Sequence, residues 1–182
     1  MTLKCNMLHG VLYPQVHRNG IKKKKKAQRD NAHCLLQCLT VAVRPLLVEE
    51  LAELLAFDFQ ASTEGGIPTL KDDWHWDDEE EAVLSTCSGL ITIIPRDDSR
   101  IVQFSHFSVK EYLTSSHLAQ SPHGEVSRFR IDLEPANTIM AQACLATLVR
   151  LDEHAGDSDT KVSPLVKYAA KHMPNSRRCC AA

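Results

Sequence analysis

Glycine is scarce in this sequence, with seven residues, at positions 10, 20, 65, 66, 89, 124 and 156. A phosphate-binding loop needs Gly, four residues, then Gly-Lys-Ser/Thr, so that consecutive backbone N–H groups wrap the phosphates. No pair of these glycines has that spacing, so the chain carries no nucleotide-binding loop of that kind. No Gly-x-Ser-x-Gly turn occurs either, which removes the hydrolases that raise a serine nucleophile on such an elbow. Long apolar runs are missing: nothing approaches the ~20 residues of a membrane-spanning helix, and the N-terminus lacks the apolar core of roughly 7–15 residues found in secretory signals. Neither charge sign dominates. With 21 Lys and Arg against 23 Asp and Glu, the net charge is −2, so no global field draws in nucleic acid or anionic membranes.

Seven cysteines are present, an odd number at scattered positions. That pattern opposes a disulfide framework and favours a reducing compartment. No CxxC or HxxxH spacing supports a metal site at His33, Cys34 and Cys38, or at His172, Cys179 and Cys180, and these residues are expected to serve packing or surface roles. The terminal Cys179-Cys180-Ala181-Ala182 matches the prenylation pattern only formally, because Cys180 and Ala181 are poor middle residues. The expected location is cytoplasmic, with nuclear entry through the lysine run Lys22 to Lys26 as the other route.

What is there is enough apolar residue, 43% of the chain, for a folded core. Residues 1–26 show no sustained period and are expected to form a flexible basic arm. From Asp30 or Asn31 a helix is predicted to about Val43, with Leu35, Leu36, Leu39 and Val43 on one face, ended by Arg44-Pro45. A second helix, 48–56, places Val48, Leu51, Leu54 and Leu55 inward and Glu49, Glu50 and Glu53 outward. A connection over 58–76 holds Trp74 and Trp76, whose large rings favour packing back on the body. An acid-headed helix is predicted over 77–90, with Val83, Leu84, Cys87 and Leu90 buried. A hairpin then joins Ile91–Ile94 to Ile101–Phe104 through a polar turn, Pro95 to Arg100.

Ser108 and Glu111 have the spacing of a capping box, with Phe107 and Tyr112 placed for a hydrophobic staple. That helix is predicted to run to about Leu118. Two more follow, 135–151 opened by Pro135 and 164–172 stopped by Pro174, before an unstructured tail over 174–182. The fold class is α+β, mainly α. It divides into a winged-helix domain over 27–120, with a two-stranded wing, and a helical extension over 121–173.

Winged helices commonly read DNA, yet the expected recognition helix and its approach hold Asp72, Asp73, Asp77, Asp78, Glu79, Glu80 and Glu81 against Lys71 alone. Duplex affinity depends on Lys and Arg neutralising phosphates, so this surface repels a duplex. Nucleic-acid binding through Lys22 to Lys26 is the alternative reading.

Three blocks carry a family resemblance: LLQCLTVAVRPLLVEELAELLA from Leu35, VLSTCSGLI from Val83 and VQFSHFSVKEYLT from Val102. Together with PLVKYAAKH from Pro164, they resemble the segment after the NACHT ATPase domain of fungal NOD-like receptors, proteins that often carry ankyrin repeats further on. The same winged-helix type occurs in GPI inositol-deacylase-like and nephrocystin-like proteins. The resemblance spans about residues 27–173.

It implies a non-catalytic module that folds over ADP in the resting receptor, with a histidine after the wing touching the β-phosphate, and opens on exchange to ATP. The matching residue is His106, with Ser108 and Glu111 as the helix cap supporting it. Phe107 departs from the family's His-Asp pair. Read from position alone, His106 equally suits a histidine that satisfies backbone groups at a strand–helix junction. No cofactor belongs to the chain itself, and ADP or ATP is engaged only with a NACHT domain, in cis or in trans. A truncated receptor product, a receptor oligomer and no membrane partner complete the expectation.

Overall fold

The computed structural model describes residues 22–59, 66–71, 76–87, 89–120, 124–153 and 163–176. Helix α1 spans Lys22–Val41. It begins inside the lysine run, several residues before the predicted cap, so Lys22 to Lys26 form helix rather than an unstructured arm. Lysine is a good helix former, and a helix already packed further along extends into it at little cost. Residues 1–21 of the expected arm lie outside the described residues. Leu35, Leu36 and Leu39 face the core as predicted. Val43 does not: it lies beyond the helix end and is exposed.

Strand β1, Leu46–Leu47, follows and leads directly into α2, Val48–Ala56. Sequence reasoning missed β1, since two residues carry no period. Helix α2 is the centre of the molecule, and it corrects the prediction for its acids. Glu50 and Glu53 are both 1% exposed. Burying an ionised carboxylate is costly unless it is paired and hydrogen-bonded, and each of these finds partners. Arg44 grips Glu50 in a fork, Nη1 to Oε2 at 2.8 Å and Nη2 to Oε1 at 2.6 Å, while Leu47 N–H donates to Oε2 at 2.9 Å. The guanidinium also lies 4.8 Å from the Tyr168 ring centroid. Glu53 accepts from Ser163 Oγ at 2.5 Å and from Leu165 N–H at 2.9 Å.

A short ladder pairs β2, Phe57–Asp58, with β3, Thr69–Leu70, and was also unpredicted. Trp76 packs back on the body as expected, its Nε1–H donating to the Ala52 carbonyl at 3.0 Å; Trp74 lies outside the described residues. Helix α3, Glu79–Cys87, is capped by Asp78, whose Oδ1 accepts from Glu80 and Glu81 N–H. Val83 and Cys87 are buried. Gly89 turns the chain at φ 85 before Leu90, itself buried beyond the helix end.

The hairpin is present with longer arms than predicted: β4, Ile91–Arg96, pairs antiparallel with β5, Ser99–Phe104, in the register Ile91↔Phe104 to Arg96↔Ser99. Asp97, at φ 51, occupies the first of two central positions, where primed hairpin turns need positive φ. In the sheet order β1-β5-β4, strand β4 is an edge and can therefore hold Pro95.

Helix α4, Phe107–Leu113, starts right after the wing, and the short helices α5, Ser116–Ala119, and α6, Gly124–Ser127, follow. The predicted single helix to Leu118 is thus broken, with Thr114 and Ser115 closing α4 through bonds to the Lys110 and Tyr112 carbonyls. Helix α7, Leu133–Glu153, places Pro135 in its first turn, where an N–H has no helical partner to lose. Met140, Ala143, Cys144 and Thr147 are buried, whereas Leu151 is exposed. Helix α8, Leu165–Ser176, continues past Pro174, the expected stop, so Pro174 to Ser176 are helix rather than tail. A proline near a helix end forfeits one terminal bond, a smaller loss than in the interior.

α7 and α8 pack on each other, α7 also packs on α1, and α8 on α2. One apolar cluster consequently runs from Leu35 and Leu51 through Val102 and Leu113 to Met140 and Tyr168. The chain is mainly helical with a small antiparallel sheet, the α+β class expected.

Candidate functional site at the wing-to-helix junction

The junction is built by the end of β5 and the start of α4. Ser105 N–H donates to the Leu90 carbonyl at 3.0 Å and Ser105 Oγ to the Gly89 carbonyl at 3.2 Å. These bonds fix the chain as it leaves the sheet. His106 is extended, at φ −150 and ψ 142, and is itself the N-cap of α4. Its Nδ1 accepts from Ser108 N–H at 3.2 Å and lies 2.7 Å from Ser108 Oγ, while its carbonyl accepts from Val109 N–H at 3.0 Å.

This geometry corrects the predicted cap. Ser108 is the second residue of the helix, not the N-cap, and it is buried. Its N–H is given to His106, so the reciprocal bond from Glu111 has no donor to accept, and Glu111 is exposed. Phe107 does not form the predicted staple. It is 70% exposed, and its ring centroid lies 4.3 Å from that of His106. The capping-box motif misled because a histidine two residues upstream reaches the same backbone donor first.

A ring nitrogen that accepts from a backbone N–H bears no proton. In the neutral imidazole the proton therefore sits on Nε2. Among the described residues no group accepts from that Nε2–H, and the His106 side chain lies at the surface. The junction thus carries one ring donor with no partner among the described residues, on a ring held by two local bonds and a ring contact, chemistry suited to a hydrogen bond with an anionic oxygen. Ser108 positions His106, whereas Glu111 takes no part in it.

At the other end of the hairpin, the surface beside the wing tip is acidic. Glu79, Glu80 and Glu81 head α3, and Arg100 of the wing is engaged by Glu80 and, at 3.7 Å, by Glu49. One of the two wing arginines, Arg100, is thus already paired, while Arg96 at the turn is exposed.

Elsewhere the polar and sulfur chemistry is inward-looking. Burial pushes the Cys87 thiol up to about 12, and burial together with the Glu50 charge does the same to Cys144. A hydrogen bond with Cys34, then burial, lifts Cys38 well above the ordinary thiol range. These three thiols stay protonated and act as small apolar groups. Burial lowers the His33 pKa against a bond in which Nε2 meets the Arg130 carbonyl at 3.3 Å. Among the described residues no group of His, Cys, Asp and Glu could hold a metal ion, and no helix is long and apolar enough to cross a membrane. Cys179 and Cys180 lie outside the described residues.

The buried pair Glu50 and Glu53 was missed by sequence reasoning. Their spacing gave no signal, because at about 100° per residue both lie away from the stripe of Val48, Leu51 and Leu55.

Comparison with known proteins agrees with this architecture. The family model of the GPI inositol-deacylase winged helix domain matches residues 18–124. The azaphilone pigments biosynthesis cluster protein L of Monascus ruber is 35% identical over 159 residues, covering 81% of this chain and 32% of that protein. The chain therefore spans about a third of the length of this relative. No solved structure matches it. With a helical core, a hairpin wing leading straight into a helix, and a family match over most of the described fold, the chain belongs to the GPI inositol-deacylase winged helix domain family.

Proposed function

We propose that this chain is a non-catalytic regulatory module of a NACHT-type signalling ATPase, which it helps to hold closed around ADP. The observation that supports the reading best is the Nε2–H of the exposed His106, which has no partner among the described residues and is fixed in its tautomer by Ser108 at the end of the wing. A donor that needs no reorganisation favours a phosphate oxygen held by a neighbouring domain. The acidic α3 and the paired Arg100 favour a protein neighbour over a duplex. The ATPase would sit in cis in a longer protein or in trans on a partner, with ADP and ATP bound only through it, and release would free the receptor to oligomerise.

The test mixes the full chain with a fungal NACHT ATPase domain and labelled ADP. Asparagine is a good N-cap but carries no group at the Nε2 position, so His106→Asn separates capping from phosphate contact. Loss of one hydrogen bond to a charged group predicts ADP retention weaker by about tenfold or more. Equal retention by wild type and His106→Asn would remove His106 from the mechanism.

A further inference from the structure

Ser163 and Pro164 form one of two Ser-Pro pairs in the chain, the other being Ser121-Pro122. Ser-Pro is the acceptor pair of proline-directed protein kinases, which take after the serine a residue of fixed φ without an N–H. Ser163 stands just ahead of α8 and is half-buried. Its Oγ–H donates to Glu53 Oε1 at 2.5 Å, and Glu53 is 1% exposed. The other oxygen of that carboxylate accepts from Leu165 N–H at 2.9 Å. One serine hydroxyl thus helps to fasten the first turn of α8 to α2, and no step of the proposed gating uses it.

We propose that Ser163 is the acceptor site of a proline-directed protein kinase, and that its phosphorylation releases the first turn of α8 from α2. In the transfer, Oγ attacks the γ-phosphorus of ATP and the bond from that phosphorus to the bridging oxygen breaks. ADP leaves, and the hydroxyl proton passes to a base of the kinase. The ester oxygen then carries no proton, so the bond to Glu53 is lost outright. In its place stand three acceptor oxygens bearing a charge of about −1.5 to −2. Beside them lies a carboxylate that, when ionised, can itself only accept. Arg150, whose charge acts on Glu53, already has an interaction of its own, and Glu50 adds a further negative charge. A helix start alone favours a phosphate, but that attraction is screened at a surface, whereas Glu53 is enclosed. The same contact makes the site conditional. A kinase takes its acceptor in an extended segment, so Ser163 is offered when the first turn of α8 opens, and the phosphate then prevents its return. The inference does not rest on His106.

The test incubates the full chain with MgATP and a mitogen-activated protein kinase, locates phosphate by mass spectrometry, and follows hydrogen exchange at the Leu165 amide just above neutral pH. Phosphate is expected on Ser163, with Leu165 exchanging about tenfold faster or more, as befits the loss of a bond to a charged acceptor. Ser163→Asp and Ser163→Asn are alike in size and differ in charge, and they decide the matter if the phosphorylated chain fails to fold. Ser163→Asp should reproduce the faster exchange, and Ser163→Asn should fall well short of it. Adding Glu53→Gln to Ser163→Asp keeps an acceptor for Leu165, removes the like charge and should restore protection. Absence of phosphate from Ser163, Leu165 exchange unchanged or slowed once Ser163 carries it, or an effect of Ser163→Asp that Glu53→Gln does not relieve would each overturn the proposal.

Discussion

At the scale of single residues, the determining groups are the two buried carboxylates of α2. Glu53 is held above the usual carboxyl range chiefly by burial, which outweighs its bonds from Ser163 and Leu165. A raised folded-state pKa means that the folded chain binds this proton more tightly than the unfolded one. The contribution is complete below the unfolded value, about 4.3 for glutamate, and is lost as pH rises through the folded value. Urea unfolding of wild type and Glu53→Gln across that window should show the wild type losing more stability with rising pH. Parallel curves would show that Glu53 does not titrate in this way. Glu53→Ala leaves the Leu165 N–H buried without its acceptor, and about 1–3 kcal/mol of destabilisation is expected at either end of the window.

Glu50 meets a cation in fork geometry. The same contact raises the pKa of Arg44, with the bond to Glu50 as the largest cause. Arg44→Ala strands a carboxylate that is 1% exposed. The expected cost is about 2–3 kcal/mol, below that of a fully buried pair because Arg44 is partly solvated. Adding Glu50→Gln should recover part of that loss, and a cost equal to the sum of the single variants would deny the coupling. None of this was legible in the sequence. Acids on an amphipathic helix default to the solvent face, and only the tertiary placement of Arg44, Ser163 and α8 reverses that default.

At the scale of elements, the hairpin and its lead into α4 were legible because β-branched arms, turn formers and an abrupt change of period all agree there. Its turn is set by Asp97 in the left-handed region, at φ 51. Asp tolerates that conformation, glycine does so without a Cβ penalty, and a β-branched residue does not. Asp97→Gly should be within about 1 kcal/mol of wild type, whereas Asp97→Val should lower stability by about 1–2 kcal/mol. Thermal unfolding that failed to separate these two would argue against positive φ at this position. Illegible elements were those shorter than any periodic signal. β1, β2 and β3 have two residues each and exist only because partners present a matching edge. The helix cap was half legible: a cap was expected at this junction, but the motif assigned it to Ser108 and local geometry gave it to His106.

At the scale of the whole molecule, charge placement rather than net charge decides which partners can approach. Replacing Glu79, Glu80 and Glu81 with glutamine would leave Arg100 with Glu49 alone and remove the acidic front of α3. Fluorescence anisotropy at low salt should then register a gain in affinity for a short duplex, falling steeply as salt rises. An unchanged affinity would mean that charge is not what keeps this face from DNA. Duplex binding by the unaltered chain that vanished with Lys22 to Lys26 replaced would favour the nucleic-acid alternative.

The fastening of the last helix has a mechanical meaning. Glu53 clasps the first turn of α8, and the Tyr168 hydroxyl, one turn along, accepts from Val43 N–H at 3.1 Å. Both anchors flank the strand Leu46–Leu47, which is stitched to β5 beside the wing. A neighbour that twists α8 therefore loads the sheet itself, through the pairing of Leu46 with Val102 and Leu47 with Ile101.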